Sequence, residues 1–231
     1  MWDQVTKVPT DVADRADGPT DWRSVEGLEL APILSASLDA FFEFGFHGAS
    51  VREIARRVGV TVPSLYYHYQ SKEGLLIALL ERSISDLRSR ARAANAAGDG
   101  DPVQRLANVI FTIVLQMTNQ ARLAALEGEA RYLCPENWER YRAMRKSIET
   151  LVLETVRDGN SAGDFAVDDP AETTRAILGM CQAIPRWYQT EGKLSPAAVA
   201  GKYVVITLKM VGAVRRPVMP RSTNRTRLTR A

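Results

Sequence analysis

Ser64, Tyr66, Tyr67 and His68 stand within five residues of one another, with Ser50 upstream and Lys72 downstream. Hydroxyls, an imidazole and an ammonium at this density suit hydrogen bonding to base edges and phosphate oxygens. Two short helices must present them. In the first, Ser50 is placed as an N-cap, Val51, Ile54, Ala55 and Val58 recur at helical spacing, and Gly59 ends the pattern as a C-cap glycine does. After the break at Gly59-Val60-Thr61-Val62, Pro63 opens a second helix in which Leu65 and Tyr69 face inward, leaving Ser64, Tyr66, Tyr67 and His68 outward. On such a helix, N-terminal residues reach the major groove, so Val62, Pro63 and Ser64 are placed for bases. Tyr66, Tyr67 and His68 suit thymine methyls, sugars and phosphates, and Lys72 adds a cation at the start of the next helix. The alternative is a small helical hairpin whose tyrosines only cover a neighbouring helix.

Around this pair, Leu30, Ile33, Leu34, Leu38, Phe41 and Phe42 describe a leading helix that leaves through Gly45 and Gly48. The stretch from about Leu30 to Leu80, with FFEFGFHGAS, VREIARRVGV and TVPSLYYHYQSKEGLL in order, resembles the DNA-binding domain of the TetR family of bacterial transcriptional regulators. Leu65-Tyr66-Tyr67-His68-Tyr69-Gln70-Ser71-Lys72 is similar to that family's Leu-Tyr-x-His-Phe-x-x-Lys region, with Tyr69 in the Phe place. The resemblance implies that Ser50, Tyr67 and Lys72 meet phosphates and that Val62, Pro63, Ser64, Tyr66 and His68 line the groove. A hydroxyl at Tyr69 needs a partner if buried, so the departure bears on packing more than on DNA.

The 231 residues are 45% hydrophobic and 25% charged, ordinary for a globular chain with a sizeable core. No apolar run approaches the ~18 residues of a membrane span, and the N-terminus lacks a secretory layout, so a cytoplasmic protein is expected. Cys134 and Cys181 are expected to be buried thiols, and with two histidines, His47 and His68, no metal cluster or disulfide framework can be assembled. No Ser-His-acid set and no Gly-rich phosphate loop is visible, so neither enzyme chemistry nor a cofactor is implied. The net charge of +3 is uneven: residues 1–27 carry −3 and residues 215–231 carry six arginines and no acid. Both ends are read as mobile tails, the basic one either touching phosphates or simply solvated.

The remaining pattern predicts an all-α chain, and the resemblance implies that residues 28–76 form a helix-turn-helix domain and residues 77–214 a ligand-binding and dimerisation domain. A helix from Ser71 through LLIALLERSISDLRSRARAA links the two, and Pro102 opens one carrying Val103, Leu106, Ile110, Val114 and Met117. CPEN reads as a break before a helix ending near Gly159. Helices over about 169–190 and 195–214 are expected to pair with a second copy. The faces would be Ile177, Cys181, Ile184 and Tyr188 on one, and Ala200, Tyr203, Val204, Thr207, Leu208 and Val211 on the other. Burial of these faces within one chain is the alternative. The resemblance implies a four-helix dimer bundle, hence a near-palindromic operator, with repression relieved by an effector.

Side chains larger and more aromatic than helix packing needs mark the candidate effector pocket: Phe111, Met117, Trp138, Tyr141, Met144, Met180, Trp187 and Tyr188. Pro185 is expected to kink its helix, and Arg186 beside it could pair with an effector carboxylate or phosphate. The segment PRWYQTEGKLSPAAVAGKYVVITLKMVG is similar to regulators of fatty-acid and steroid breakdown that answer to acyl-CoA thioesters, implying an acyl-CoA or other amphipathic carboxylate. A DNA-binding regulator or architectural protein without a small-molecule effector is the competing function.

Overall fold

The computed structural model describes residues 21–24 and 28–223, and among these every regular element is helical. Helix starts follow the sequence's punctuation. Ser50, Thr61, Ser71, Asp101, Asp169 and Ser195 each cap a helix by accepting a backbone N–H with the side-chain oxygen. Prolines sit in the first turns of α1 (Pro32–Gly48), α3 (Val62–His68), α5 (Pro102–Asn119), α7 (Pro135–Ser161), α8 (Pro170–Gln182) and α9 (Pro196–Met210), where a missing N–H is harmless. α2 (Val51–Val58) ends at Gly59, whose φ of 76° and ψ of 26° favour a residue without Cβ.

α1 packs on α2, which precedes α3, and α4 (Lys72–Ala96) leaves this small domain for the larger one. α5 is the axle of the larger domain, touching α4, α7, α8 and α9. It is buried all round, including Asn108, Thr112, Gln116 and Thr118. Most of those polar atoms find internal partners: Asn108 Nδ2 donates to Ala94 O at 3.1 Å, and Gln116 Nε2 to Ser83 O at 3.0 Å, although Gln116 Oε1 is buried without one among the described residues. A bend at Gln120 leads through α6 (Ala121–Ala125) and a 3-10 turn, Leu126–Tyr132, into α7. No single helix among the described residues is long and apolar enough to cross a membrane.

Several expectations are corrected. Pro135, Glu136 and Asn137 are not a break but the first turn of α7, because Pro135 occupies a position that suits it. The helix expected over 169–190 stops at Gln182, and Pro185 lies in a 3-10 turn, Ile184–Arg186; its ring ends the helix rather than kinking it. Ile177, Cys181, Ile184, Ala200, Val204, Thr207, Leu208 and Val211, expected to meet a second copy, are buried within this chain. α9 needs that face for α5, with which it packs extensively, and so turns Val205, Ile206 and Met210 outward. Cys134, expected to be buried, is exposed because it caps a helix start at the surface, while Cys181 is fully enclosed.

Where described, the two ends lie against the body. Trp22 is buried and its carbonyl accepts from Thr112 Oγ1 at 3.4 Å, while Arg90 reaches the carbonyl of Ser24. Arg215 is forked onto Asp101 at 2.6 Å and Asp164 at 2.9 Å, and Val218 N donates to Gln104 Oε1 at 2.9 Å. Thr223 Oγ1 donates to Asp21 Oδ2 at 2.7 Å, so the two end segments touch each other. The mobile-tail expectation is thereby corrected for 21–24 and 215–223, where bidentate pairing and an apolar seat for Trp22 outweigh the chain entropy. Residues 1–20, 25–27 and 224–231 lie outside the described residues.

Candidate DNA-reading head and effector cavity

Ser50 Oγ accepts from Glu53 N at 3.1 Å, and Thr61 Oγ1 accepts from Ser64 N at 3.3 Å. These caps orient α2 and α3 about a core formed by Ile54, Ala55 and Leu65. Packing Leu65 inward leaves Tyr67 83% exposed and Tyr66 44% exposed. His68 is half-buried against Tyr67, ring centroids 5.3 Å apart. Pro63 is exposed, and Val62 and Ser64 are partly so. Val62, Pro63, Ser64, Tyr66, Tyr67 and His68 are therefore assembled on one short helix with the two tyrosines outermost. Tyr69 caps the helix and packs partly against the core, where burial raises its phenol above the ordinary value.

On α2, Glu53 holds Arg56 through two contacts of 2.7 and 2.8 Å and Arg57 at 2.8 Å. Arg57 also reaches Glu43 of α1 at 2.7 Å. The two guanidiniums draw Glu53 down from 4.5 to about 2. A lowered carboxyl contributes to stability above its ordinary value and loses that contribution as pH falls through the folded value. A carboxyl-carbon NMR titration is therefore expected to find Glu53 still ionised at pH 4, and a midpoint near 4.5 would contradict the network. Arg52, exposed on the same helix, makes no ion pair among the described residues.

Lys72 is placed differently from a simple phosphate contact. Its Nζ donates to His47 O at 3.2 Å and Ala49 O at 3.0 Å and lies 4.8 Å from the Phe46 ring centre. It closes the short turn that follows the break in α1 at Gly45, where φ is 69° and ψ 169°, and fixes the entry into α2. An ammonium has three donors, so one remains for a partner outside the chain. Ser50 is exposed beside this turn.

In the larger domain, α4, α5, the 3-10 turn, α7 and α8 line a half-open cavity of about 680 Å³, a size suited to a small organic ligand. α4 and α5 contribute only apolar side chains, Ile84, Leu87, Ile113 and Met117. α7 and α8 contribute Ile148 and Leu178 together with Arg142, Arg145, Lys146 and Arg175, and Glu127, Glu139 and Glu149 lie among the cations. Glu127 Oε2 lies 3.9 Å from Arg145. Burial pushes the Glu127 carboxyl up, and Arg145 and the Tyr141 hydroxyl draw it part of the way back. Of the sequence candidates, Met117 and Trp138 line this cavity. Tyr141 is buried beside Glu127, Phe111 is buried in the α5 core, Met144 packs partly against that core, and Met180 is partly buried on α8 away from the lining. Trp187 and Tyr188 border a separate hollow of about 270 Å³, and Arg186 is exposed near it rather than facing the main cavity. The charged wall was missed from sequence because Arg142, Arg145, Lys146 and Glu149, at helical spacing, look like an ordinary solvated face.

Comparison with known proteins agrees with this anatomy. The model for bacterial regulatory proteins of the tetR family matches residues 33–79, and that for the tetracyclin repressor-like C-terminal domain matches residues 99–211. The HTH-type transcriptional repressor KstR2 of Mycobacterium tuberculosis is 28% identical over 198 residues, covering 84% of this chain and 96% of that one. A tetR-family regulatory protein from Rhodococcus RHA1 superposes with a TM-score of 0.73 at 26% identity, over 80% of this chain and 97% of that one. AibR, solved in complex with isovaleryl coenzyme A and operator DNA, shares the fold at a TM-score of 0.66 and 24% identity, over 75% of this chain and 95% of that one. With a helix-turn-helix head and a helical C-terminal domain each matched in its own place, this chain belongs to the TetR family of DNA-binding transcriptional regulators.

Proposed function

We propose that this protein is a dimeric repressor that leaves a near-palindromic operator when an acyl-coenzyme A thioester enters the cavity. The mixed lining carries the reading: the apolar side chains of α4 and α5 suit an acyl chain, and the cations of α7 and α8 suit the phosphates of coenzyme A. Those cations are available for exchange. Arg142–Glu139 at 3.3 Å and Lys146–Glu149 at 2.6 Å are pairs on one helix with exposed arginine and lysine, and such pairs hold by roughly 0.5 kcal/mol or less. KstR2 is named a repressor and AibR was solved with an acyl-CoA, which supports the same direction.

The second copy is expected on the outward faces of α8 and α9. Val205 and Ile206 are 45% and 42% exposed, and Gly179 and Ala176 on α8 are exposed small residues that allow close approach. A two-fold pairing there presents two reading heads, and an effector that fits better when the heads are wrongly spaced weakens DNA binding by the same factor by which DNA weakens it. The test is fluorescence anisotropy of a labelled operator duplex titrated with octanoyl-CoA and, separately, octanoate. Release by the thioester but not by the free acid is the expected result. Equal release by both would contradict recognition of the coenzyme A phosphates, and release by neither would contradict the effector assignment.

A further inference from the structure

The cavity and the reading head meet at one corner. Trp138 and Glu127, both in the cavity lining, flank the short stretch where the 3-10 turn passes into α7. Between them, Tyr132 stacks on Phe46 at 5.5 Å and 12° and stands edge-on to His47 at 4.2 Å, so its ring is pressed onto the end of α1. Two residues later, Cys134 N donates to Glu73 Oε1 at 2.8 Å, and Asn137 Nδ2 donates to the same oxygen at 2.7 Å. Glu73 thus caps the first turn of α7 from the first turn of α4. Its neighbour Lys72 holds the α1–α2 turn through His47 O and Ala49 O.

We infer that Glu73 is a positioning residue that latches the start of α7 to the head, so that displacement of the cavity wall at Trp138 is passed to the α1–α2 turn. The inference rests on the cavity being the effector site. Coupling is carried by an element with two arrangements whose equilibrium both sites bias. Here the connection is a carboxylate with two donors on one oxygen, backed by an aromatic contact on the other side of the same corner. Asn137 and the Cys134 N–H hold the Glu73 carboxyl below its ordinary range, in keeping with an ionised acceptor at a helix start.

The full-length protein is compared with Glu73→Ala, Glu73→Gln and Asn137→Ala, each checked for folding by circular dichroism. The readout is the ratio of operator Kd with and without saturating octanoyl-CoA, alongside octanoyl-CoA affinity without DNA. A wild-type ratio of roughly 5 to 150 is ordinary for such coupling. It is expected to fall toward 1 in Glu73→Ala and partway in Asn137→Ala, and to be largely kept by Glu73→Gln, whose amide oxygen still accepts. Octanoyl-CoA affinity without DNA should stay within about twofold, because Glu73 does not line the cavity. An unchanged ratio in folded Glu73→Ala would overturn the latch. Should the wild type bind no octanoyl-CoA, the effector reading fails by itself, and hydrogen exchange of the ligand-free proteins decides the latch. Faster exchange in Glu73→Ala at both 134–138 and 45–52 supports it, and a change at 134–138 alone overturns it.

Discussion

Lys72→Ala is expected to lower thermal stability and operator affinity together. The ammonium donates to two carbonyl oxygens at the end of α1 and lies over Phe46. Losing charged hydrogen bonds of this kind costs about 2–3 kcal/mol, which for a chain of this size lowers the melting midpoint by roughly 5–10 °C. The turn it holds sets Ser50 and α2 relative to α1, so DNA affinity should fall by on the order of a hundredfold, combining lost geometry with lost charge. Tyr67→Ala is the contrast. That ring is 83% exposed, so its removal should leave the midpoint unchanged and weaken binding to all duplexes by roughly tenfold, about 1.4 kcal/mol. Differential scanning calorimetry and anisotropy on the same preparations separate the two. A Lys72→Ala protein with the wild-type midpoint but weakened, less salt-sensitive DNA binding would show that Lys72 acts only on phosphate.

Gly159→Ala is expected to destabilise the larger domain by about 2 kcal/mol. A Cβ at this buried position of α7 would stand 2.2 Å from Phe165 Cδ2 and 2.3 Å from Cε2. The ring has little freedom to retreat. Phe165 is 4% exposed, and the backbone N–H groups of Asp164 and Phe165 both donate to Gly159 O, at 2.9 and 3.0 Å. Overpacking of this sort costs roughly 1–3 kcal/mol, and expelling the ring would forfeit a similar burial term. The helix preference of Ala over Gly, about 1 kcal/mol, works the other way and is the smaller effect near a helix end. Denaturant unfolding should show a lower midpoint for Gly159→Ala and partial recovery when Phe165→Leu is added. A midpoint at or above wild type would mean that the loop shifts freely.

The head was readable because its signals are local. Ser50, Gly59, Thr61 and Pro63 each fix backbone geometry by their own chemistry, and Leu65 inward forces Tyr66 and Tyr67 outward. The role of Lys72 was not readable in the same way, since its carbonyl partners lie 23 and 25 residues upstream and no spacing rule connects them. The apolar faces of α8 and α9 were visible as stripes, but periodicity does not say whether a stripe meets its own chain or a copy. α5, buried on every side, takes the stripe on α9 that its spacing alone leaves equally suited to a partner. The cavity was half readable. Met117 and Trp138 were found as large apolar side chains, whereas Arg142, Lys146 and Arg175 became a wall only once α7 and α8 were set over α5.

Reading of a specific DNA sequence by α2 and α3 is tested most directly by selection from a random duplex library at physiological salt, using protein denatured and refolded to strip any bound ligand. Recovery of an inverted repeat whose half-sites are about one helical turn or somewhat more apart is the predicted result. Absence of any enriched sequence from folded, ligand-stripped protein would contradict it.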